Sequence, residues 1–292
     1  MSPLRQAAPP ARPEPFFAGE FSFTGSDFDT IAGIVHQRAG INLPPTKGAL
    51  VYSRLVKRLR LLGLESFSDY CALLTQPGGE DEAGVVLRAL TTNVTRFFRE
   101  PHHFDDLYNQ LVDLAPAVRA GGRLRLWSAG CSTGQEPYSI ALTVMSVLRD
   151  APDLDVKILA SDVDTDVLET GRAAVYEEEE LDAVPANLRG EIEPAAGGAW
   201  RVGPAARSLV SFKTLNLNAP TWPMQGVFQA IFCRNVAIYF DEPTQDLLWS
   251  RFAPLTATHG RLYVGHSERV EDPNFQSCGL TAYRRGAPRA AS

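Results

Sequence analysis

Cysteine is scarce in this sequence and scattered: Cys71, Cys131, Cys233 and Cys278 stand alone, with no CxxC pair. That spacing excludes a disulfide framework and a zinc cluster, and predicts the reduced thiols of a cytoplasmic protein. Long apolar runs are missing as well. The opening stretch MSPLRQAAPPARPEPFFAGE lacks the continuous apolar core of a signal peptide. Its proline and alanine content predicts a disordered tail over residues 1–22. The run FQAIFCRNVAIYF contains Arg234 and Asn235 and is too short to cross a bilayer as a helix, so no membrane insertion is expected. Positive charge is not in surplus either: 28 lysines and arginines against 34 aspartates and glutamates give a net charge of −6. That balance argues against a general nucleic-acid binder and leaves room only for a local basic face.

What is present suffices for a sizeable core: 45% of the 292 residues are hydrophobic. Residues 23–90 read as a small all-α domain. SDFDTIAGIVHQRAG offers Ser26 or Asp27 as N-cap and Gly40 as breaker. KGALVYSRLVKRLRLLGL places Val51, Leu55, Leu59 and Leu62 on one helical face and Arg54, Lys57 and Arg58 on the other. A short helix is expected over residues 65–74 and a loop at TQPGGEDEA. Residues 91–120 form a linker region with a helix. From residue 121 to about 285 strands alternate with helices, which indicates an α/β domain with a mostly parallel sheet covered on both faces. The strands are LRLWSA, VKILAS closed by Asp162, VFQAIFCRN and GRLYVGHSE. The helices follow at Tyr138–Leu148, at DTDVLETGRAAVY with Asp164 as cap, and at EPTQDLLWSRFAPL. Residues 176–212 break the alternation and predict a small antiparallel β insertion, with strands near Trp200–Val202 and Leu209–Phe212. Residues 286–292 are a short tail.

Ligands of an open α/β sheet settle beyond the carboxyl ends of its strands. Four such ends occur here: at Gly130–Gly134, at Asp162, near Asn216 and Leu217, and at Arg234 and Asn235. Glycines in the first turn admit a ligand close to the backbone, and an acidic residue ending the next strand suits ribose hydroxyls. The turn has no Walker lysine and no full GxGxxG, which disfavours a phosphate-bearing nucleotide. S-adenosylmethionine fits a site of carboxylates and amides; an ordinary glycine-rich strand–helix turn fits the local pattern equally well. LTTNVTRFFREPHHF, read alone, is a helix end packed by Phe97, Phe98 and Phe104, with Arg99 on the surface. The alternative sends Arg99 to the pocket as a bidentate partner for a carboxylate. His102 and His103 read as a packing turn, Glu177–Glu180 as a solvated loop or helix start, and His266 stays unassigned.

TTNVTRFFREPHHF, LWSAGCSTGQEPYSIAL, ASDVDTDVLETGRAAVY and FQAIFCRNVAIYFDEPTQ, followed by GRLYVGHSE, occur in an order and spacing that resemble the CheR family of chemotaxis protein-glutamate methyltransferases, over roughly residues 23–283. The resemblance implies a Rossmann-like class I methyltransferase domain with a β insertion after the all-α domain. It implies methyl transfer from S-adenosylmethionine to glutamate side chains on the cytoplasmic helices of chemoreceptors, giving methyl esters and S-adenosylhomocysteine.

By the same resemblance the cofactor contacts fall on Asn93, Thr95, Arg99, Glu136, Asp162, Asn216, Leu217, Arg234 and Asn235. Asp162 takes the ribose; Asn93, Thr95, Arg99 and Glu136 surround the methionine end; Asn216 and Leu217 flank the adenine. Arg99 and Tyr239 lie near the reacting groups. Arg54, Lys57 and Arg58 become a docking face for acidic receptor helices, and the insertion a second contact for a receptor C-terminal peptide. A monomer is expected. Two departures stand out: Gln135 replaces a glutamate found in many relatives, and Glu191-Ile192 replaces an aromatic in the insertion. An ionised glutamate needs no strong base to accept a methyl group. In keeping with this, the sequence has no HExxH or His/Cys ligand set, and no metal is expected. Competing readings are a cofactor-binding signalling adaptor without turnover, and a methyltransferase of small molecules or nucleic acid. The acidic balance disfavours the latter, as does Val-Ala-Ile-Tyr after Asn235 in place of an NPPY-type motif.

Overall fold

The computed structural model describes residues 15–17 and 19–286. The expected tails therefore lie outside the described residues over 1–14 and 287–292. Part of the first tail is ordered: β1 (Pro15–Phe17) pairs antiparallel with β2 (Phe23–Thr24). The chain divides into two compact units, one made of residues up to Arg38 and Asn42–Leu90, the other of Ala39–Ile41 and residues from Thr91 onward. No helix among the described residues is long and apolar enough to cross a membrane.

The first unit holds α1 (Gly25–Ala39), α2 (Gly48–Leu62), α3 (Phe67–Thr75) and α4 (Glu80–Leu90). Thr24, not Ser26 or Asp27, caps α1: its hydroxyl accepts the Asp27 N–H at 3.2 Å while the Asp27 carboxylate accepts the Thr24 N–H at 2.8 Å. This reciprocal pair satisfies two donors that a helix start leaves open. The expected loop at TQPGGEDEA is shorter than predicted, because Glu80, Asp81 and Glu82 form the first turn of α4, where the helix dipole favours carboxylates. Val51, Leu55 and Leu59 are buried as predicted, but Leu62, the last helical residue before the left-handed Gly63, is 36% exposed.

The basic face of α2 is partly turned inward. Arg58 grips Glu82 through two bonds of 2.8 and 2.5 Å, and the Tyr70 hydroxyl donates to the same carboxylate at 2.6 Å. Arg54 donates to the carbonyls of Ala89 and Leu90 at the end of α4, a cation at a helix C-terminus. Lys57 is the exposed member of the three.

The main segment of the second unit opens on irregular chain rather than a helix end: Thr91–Arg96 has no regular structure, and α5 starts at His102 (His102–Arg119). Then come β3 (Leu124–Ala129), α6 (Gln135–Val147), β4 (Val156–Asp162) and α7 (Thr165–Ala173). The insertion follows as a three-stranded antiparallel sheet of β5 (Val175–Tyr176), β6 (Ile192–Pro194) and β7 (Trp200–Val202), with β7 central. A short α8 (Pro204–Leu209) leads to β8 (Val210–Thr214). β8 corrects the prediction for Leu209–Phe212: it pairs parallel with β4 and belongs to the main sheet. β9 (Phe228–Cys233), α9 (Glu242–Leu255), β10 (Thr256–Val264), β11 (Phe275–Gly279) and β12 (Ala282–Arg285) complete the unit.

The main sheet runs β11-β12-β10-β9-β3-β4-β8, parallel from β10 to β8, with β12 antiparallel to both its neighbours. Strand order reverses between β3 and β9, and β3 is the first strand of the sheet in sequence. Period-two alternation fills both faces. Leu124, Leu126, Ile158, Ala160, Ala230 and Phe232 join the core beneath α5 and α6. Trp127 points the other way and packs edge-on against Phe252 of α9 and Trp222.

Glu82→Ala tests the all-α unit: it leaves Arg58 and Tyr70 without their shared acceptor and is expected to cost about 1–3 kcal/mol. Denaturant unfolding measures this; an unchanged midpoint contradicts the assignment.

Candidate functional site

The alternation that buries Leu126, Ala160 and Phe232 carries Ser128, Asp162 and Arg234 onto the same face, at the carboxyl ends of three adjacent parallel strands. Here a ligand finds the turn between β3 and α6. Gly130 and Gly134 take positive φ of 82° and 99°, and a side chain on Gly134 would meet the Tyr176 hydroxyl at 2.8 Å. Asp162 holds the turn from beside it. One carboxylate oxygen accepts the Ser132 N–H at 2.9 Å and the other the Asp164 N–H at 3.0 Å. Burial raises the Asp162 pKa, while these N–H groups act against the shift.

Arg234 is the charge at the centre of the site. Its guanidinium donates to Glu136 at 3.1 Å, lies 3.4 Å from Glu100 and donates to the backbone carbonyl of Arg99. Glu136, in the first turn of α6, also accepts the Ser128 hydroxyl at 2.7 Å. Burial raises Glu136 despite Arg234 and Ser128, whereas in Glu100 burial is outweighed by Arg234, His103 and His266, and its pKa is lowered. Glu100, His102 and His103 bring potential ligand atoms within 4.8 Å of one another, but the positive charge that this carboxylate faces is the Arg234 guanidinium.

The irregular stretch before α5 joins the same site. The Asn93 amide donates to Asp164 at 2.9 Å, and the Asn93 carbonyl accepts the Ser132 hydroxyl at 2.8 Å. Arg99 donates to the Val94 carbonyl at 3.0 Å, and Thr95 is half-buried between them in sequence. On the far side of Asp162, its carbonyl accepts the Leu215 N–H at 2.9 Å, which brings the start of the Asn216–Leu217 segment to the end of β4. Asn235 follows Arg234 with φ of 59°, and Tyr239 sits half-buried on the short helical turn Ala237–Tyr239. Bonded contacts thus bring together Asn93, Arg99, Glu136, Asp162 and Arg234 with their neighbours; Thr95, Leu217 and Tyr239 lie on the segments that adjoin them. Arg54, Lys57 and Arg58 belong to the other compact unit.

The residues suit an adenosyl ligand. Asp162 spends one bond on each oxygen and keeps acceptor capacity for hydroxyl donors, and the Arg234–Glu136 pair offers both signs of charge to an amino-acid end. The match extends to sequence families: residues 93–284 match the model described as "CheR methyltransferase, SAM binding domain", and residues 26–91 match "CheR methyltransferase, all-alpha domain". The chain belongs to the CheR methyltransferase family. Among similar proteins, a probable chemotaxis protein methyltransferase of Rhizobium etli is 47% identical over 86% of this chain and 96% of its own. Chemotaxis protein methyltransferase 2 of Pseudomonas aeruginosa is 44% identical over 94% and 99%, and the chemotaxis protein methyltransferase of Escherichia coli 42% identical over 90% and 91%.

Within this CheR-family site, several participants escaped sequence reasoning. Ser128, Ser132, Glu100 and Glu268 lie inside the quoted motifs but were given no role there; Asp164 was legible only as the α7 cap, which it is, accepting the Asp166 N–H at 2.9 Å. Gln135 also gains a reason. Its amide donates to Glu180 at 2.9 Å, and Glu180 is part of a capping box with Glu177 at the root of the insertion. A glutamate at 135 would set two carboxylates against each other there. The Tyr176 hydroxyl adds a second link, to the Thr133 carbonyl at 2.9 Å. His266, 71% exposed on its side chain, stands 3.5 Å from Glu100 at the rim.

His103 is fully buried against Tyr263, and its Nε2 lies 2.9 Å from the Thr281 hydroxyl. Burial first, then Arg234 and His102, push its pKa down to about 3, against an opposing pull from Glu100. A folded pKa below the unfolded value of about 6.5 gives stability that is present above pH 6.5 and lost as pH falls toward 3. This residue is expected to remove ~2 kcal/mol between pH 6.5 and 5. Unfolding free energies measured across that window should fall less steeply in His103→Gln; an identical slope contradicts the assignment.

Proposed function

We propose that this chain transfers the methyl group of S-adenosylmethionine to glutamate side-chain carboxylates on the cytoplasmic helices of chemoreceptors, as a protein-glutamate O-methyltransferase. The observation that carries the reading is the arrangement of half-buried Asp162 and Glu136 around the buried Arg234 at the strand ends of a CheR-family chain. The bound cofactor supplies an electrophilic methyl group on a sulfonium, which a carboxylate oxygen takes as the carbon–sulfur bond breaks.

This chain's residues bind and orient. Asp162 accepts the ribose hydroxyls; Asn216 and Leu217 flank the adenine; Asn93, Thr95, Arg99 and Glu136 surround the methionine end, with Arg234 and Asn235 completing the floor. Arg99 and Tyr239 face the acceptor, Arg99 through a charge-assisted bond to a carboxylate and Tyr239 through its hydroxyl. An acceptor glutamate, with an ordinary pKa of about 4.3, arrives ionised, so the residues need only align and desolvate it. Docking rests on α2. With Arg58 and Arg54 engaged in holding α4, the exposed Lys57 is the member of that face best placed to meet an acidic helix, mainly by raising the encounter rate. The three-stranded insertion offers strand edges to an extended receptor C-terminal peptide.

The test is incubation with methyl-labelled cofactor and receptor cytoplasmic fragments, in which base-labile label on the receptor is expected and its absence overturns the reading. Arg99→Ala and Tyr239→Phe are each expected to lower kcat by about 10–10³-fold; unchanged turnover in both removes those roles. Lys57→Glu is expected to raise the acceptor KM at low salt and to lose that effect at high salt. A KM equal to wild type at low salt contradicts docking through this face.

A further inference from the structure

The residues GHSE that follow β10 match the family without a role in the chemistry above, yet they end in a carboxylate that is 2% exposed. Among the described residues no cationic side chain pairs with Glu268. Four backbone N–H groups converge on it instead. One oxygen accepts from Asn235 at 2.9 Å and from Gly265; the other accepts from Val236 at 3.0 Å and Ile238 at 3.2 Å. The Glu268 N–H in turn donates to the Gly265 carbonyl at 2.9 Å, closing the loop on itself.

What this carboxylate holds is the segment that follows β9. Asn235 adopts a left-handed φ of 59°, a conformation that a non-glycine residue keeps only when its surroundings enforce it. From there the chain turns into Ala237–Tyr239, whose Tyr239 N–H donates to the Val236 carbonyl at 3.2 Å. Gly265 closes the other side: a Cβ there would fall 2.3 Å from the Asn235 side-chain nitrogen and 2.8 Å from its backbone nitrogen. We propose that Glu268, with Gly265, is a positioning residue for methyl transfer, fixing the Asn235–Ile238 turn in the shape that delivers Asn235 to the cofactor and Tyr239 to the acceptor. The inference rests on the roles given to Asn235 and Tyr239 above. A carboxylate is required because it only accepts; the isosteric amide would turn its own N–H donors onto two of the four backbone donors.

Glu268→Gln is the test, with Glu268→Asp as the conservative variant. Circular dichroism and a cooperative melt establish folding. Hydrogen exchange at Asn235, Val236 and Ile238 is expected to speed up by about 10–100-fold in Glu268→Gln, with β3 amides unchanged. S-adenosylhomocysteine affinity and kcat should fall, Glu268→Asp should retain part of both, and adding Tyr239→Phe to Glu268→Gln should lower kcat by less than it does in wild type. A variant with a lower Tm but with affinity and kcat within about twofold of wild type overturns the proposal. Should Glu268→Gln not fold, Gly265→Ala displaces Asn235 while keeping the carboxylate; wild-type affinity and kcat in that variant overturn it equally. The exchange readout needs no activity. A wild-type chain that fails to transfer methyl while its Asn235–Ile238 amides stay protected therefore faults the functional reading and not the anchor.

Discussion

A guanidinium with almost no access to water has to be matched by acceptors, and at Arg234 that requirement organises the site. Removing such a charge from solvent is expensive unless it is paired, and here two carboxylates and a carbonyl surround the two terminal nitrogens while Nε is left without an acceptor. Glu136 comes from the first turn of α6, Glu100 and the Arg99 carbonyl from the segment ahead of α5, and Arg234 itself from the end of β9. Three pieces of chain far apart in sequence are thereby held to one point. The two carboxylates respond in opposite directions: burial wins at Glu136, while at Glu100 the Arg234 charge and the bonds from His266 outweigh it.

Around that point the fold supplies rigidity by backbone chemistry more than by side-chain ion pairs. Asp162 takes two N–H groups and so keeps the β3–α6 turn and the start of α7 in register. Glu268 does the corresponding work after β9, with four. Both carboxylates bind turns that contain left-handed residues, Ser132 and Asn235, whose conformations cost energy without such support. The insertion is tied to the same turn through Tyr176 and Gln135, so the strands that bear a free edge grow out of the site's own framework.

Much of this was legible in the sequence, for reasons that are local. β3, β4 and β9 are short apolar runs closed by glycine or a polar residue, α7 announces its cap at Asp164, and the rule of strand carboxyl ends points to Asp162 and Arg234. The failures are non-local. Val210–Thr214 looks like one more short strand of the insertion until its pairing with β4 is known. Arg58 looks like part of a solvated face because its partner Glu82 lies 24 residues away. Thr91–Arg96, which has no regular structure, carries residues that also suit a helix, and Asn93 spends its bonds on Asp164 and Ser132, far away in sequence. Glu268 gave no sign of its role, since its donors Asn235, Val236 and Ile238 lie 30 to 33 residues earlier.

The central claim, that the Arg234-centred strand-end site holds an adenosyl ligand, is most directly tested by calorimetric titration of the purified chain and of a folded Arg234→Met variant with S-adenosylhomocysteine. The account predicts one saturable site in the wild-type chain and an affinity lower by about 10²-fold or more in the variant. Absence of binding to the wild-type chain, or equal affinity in both, would contradict it.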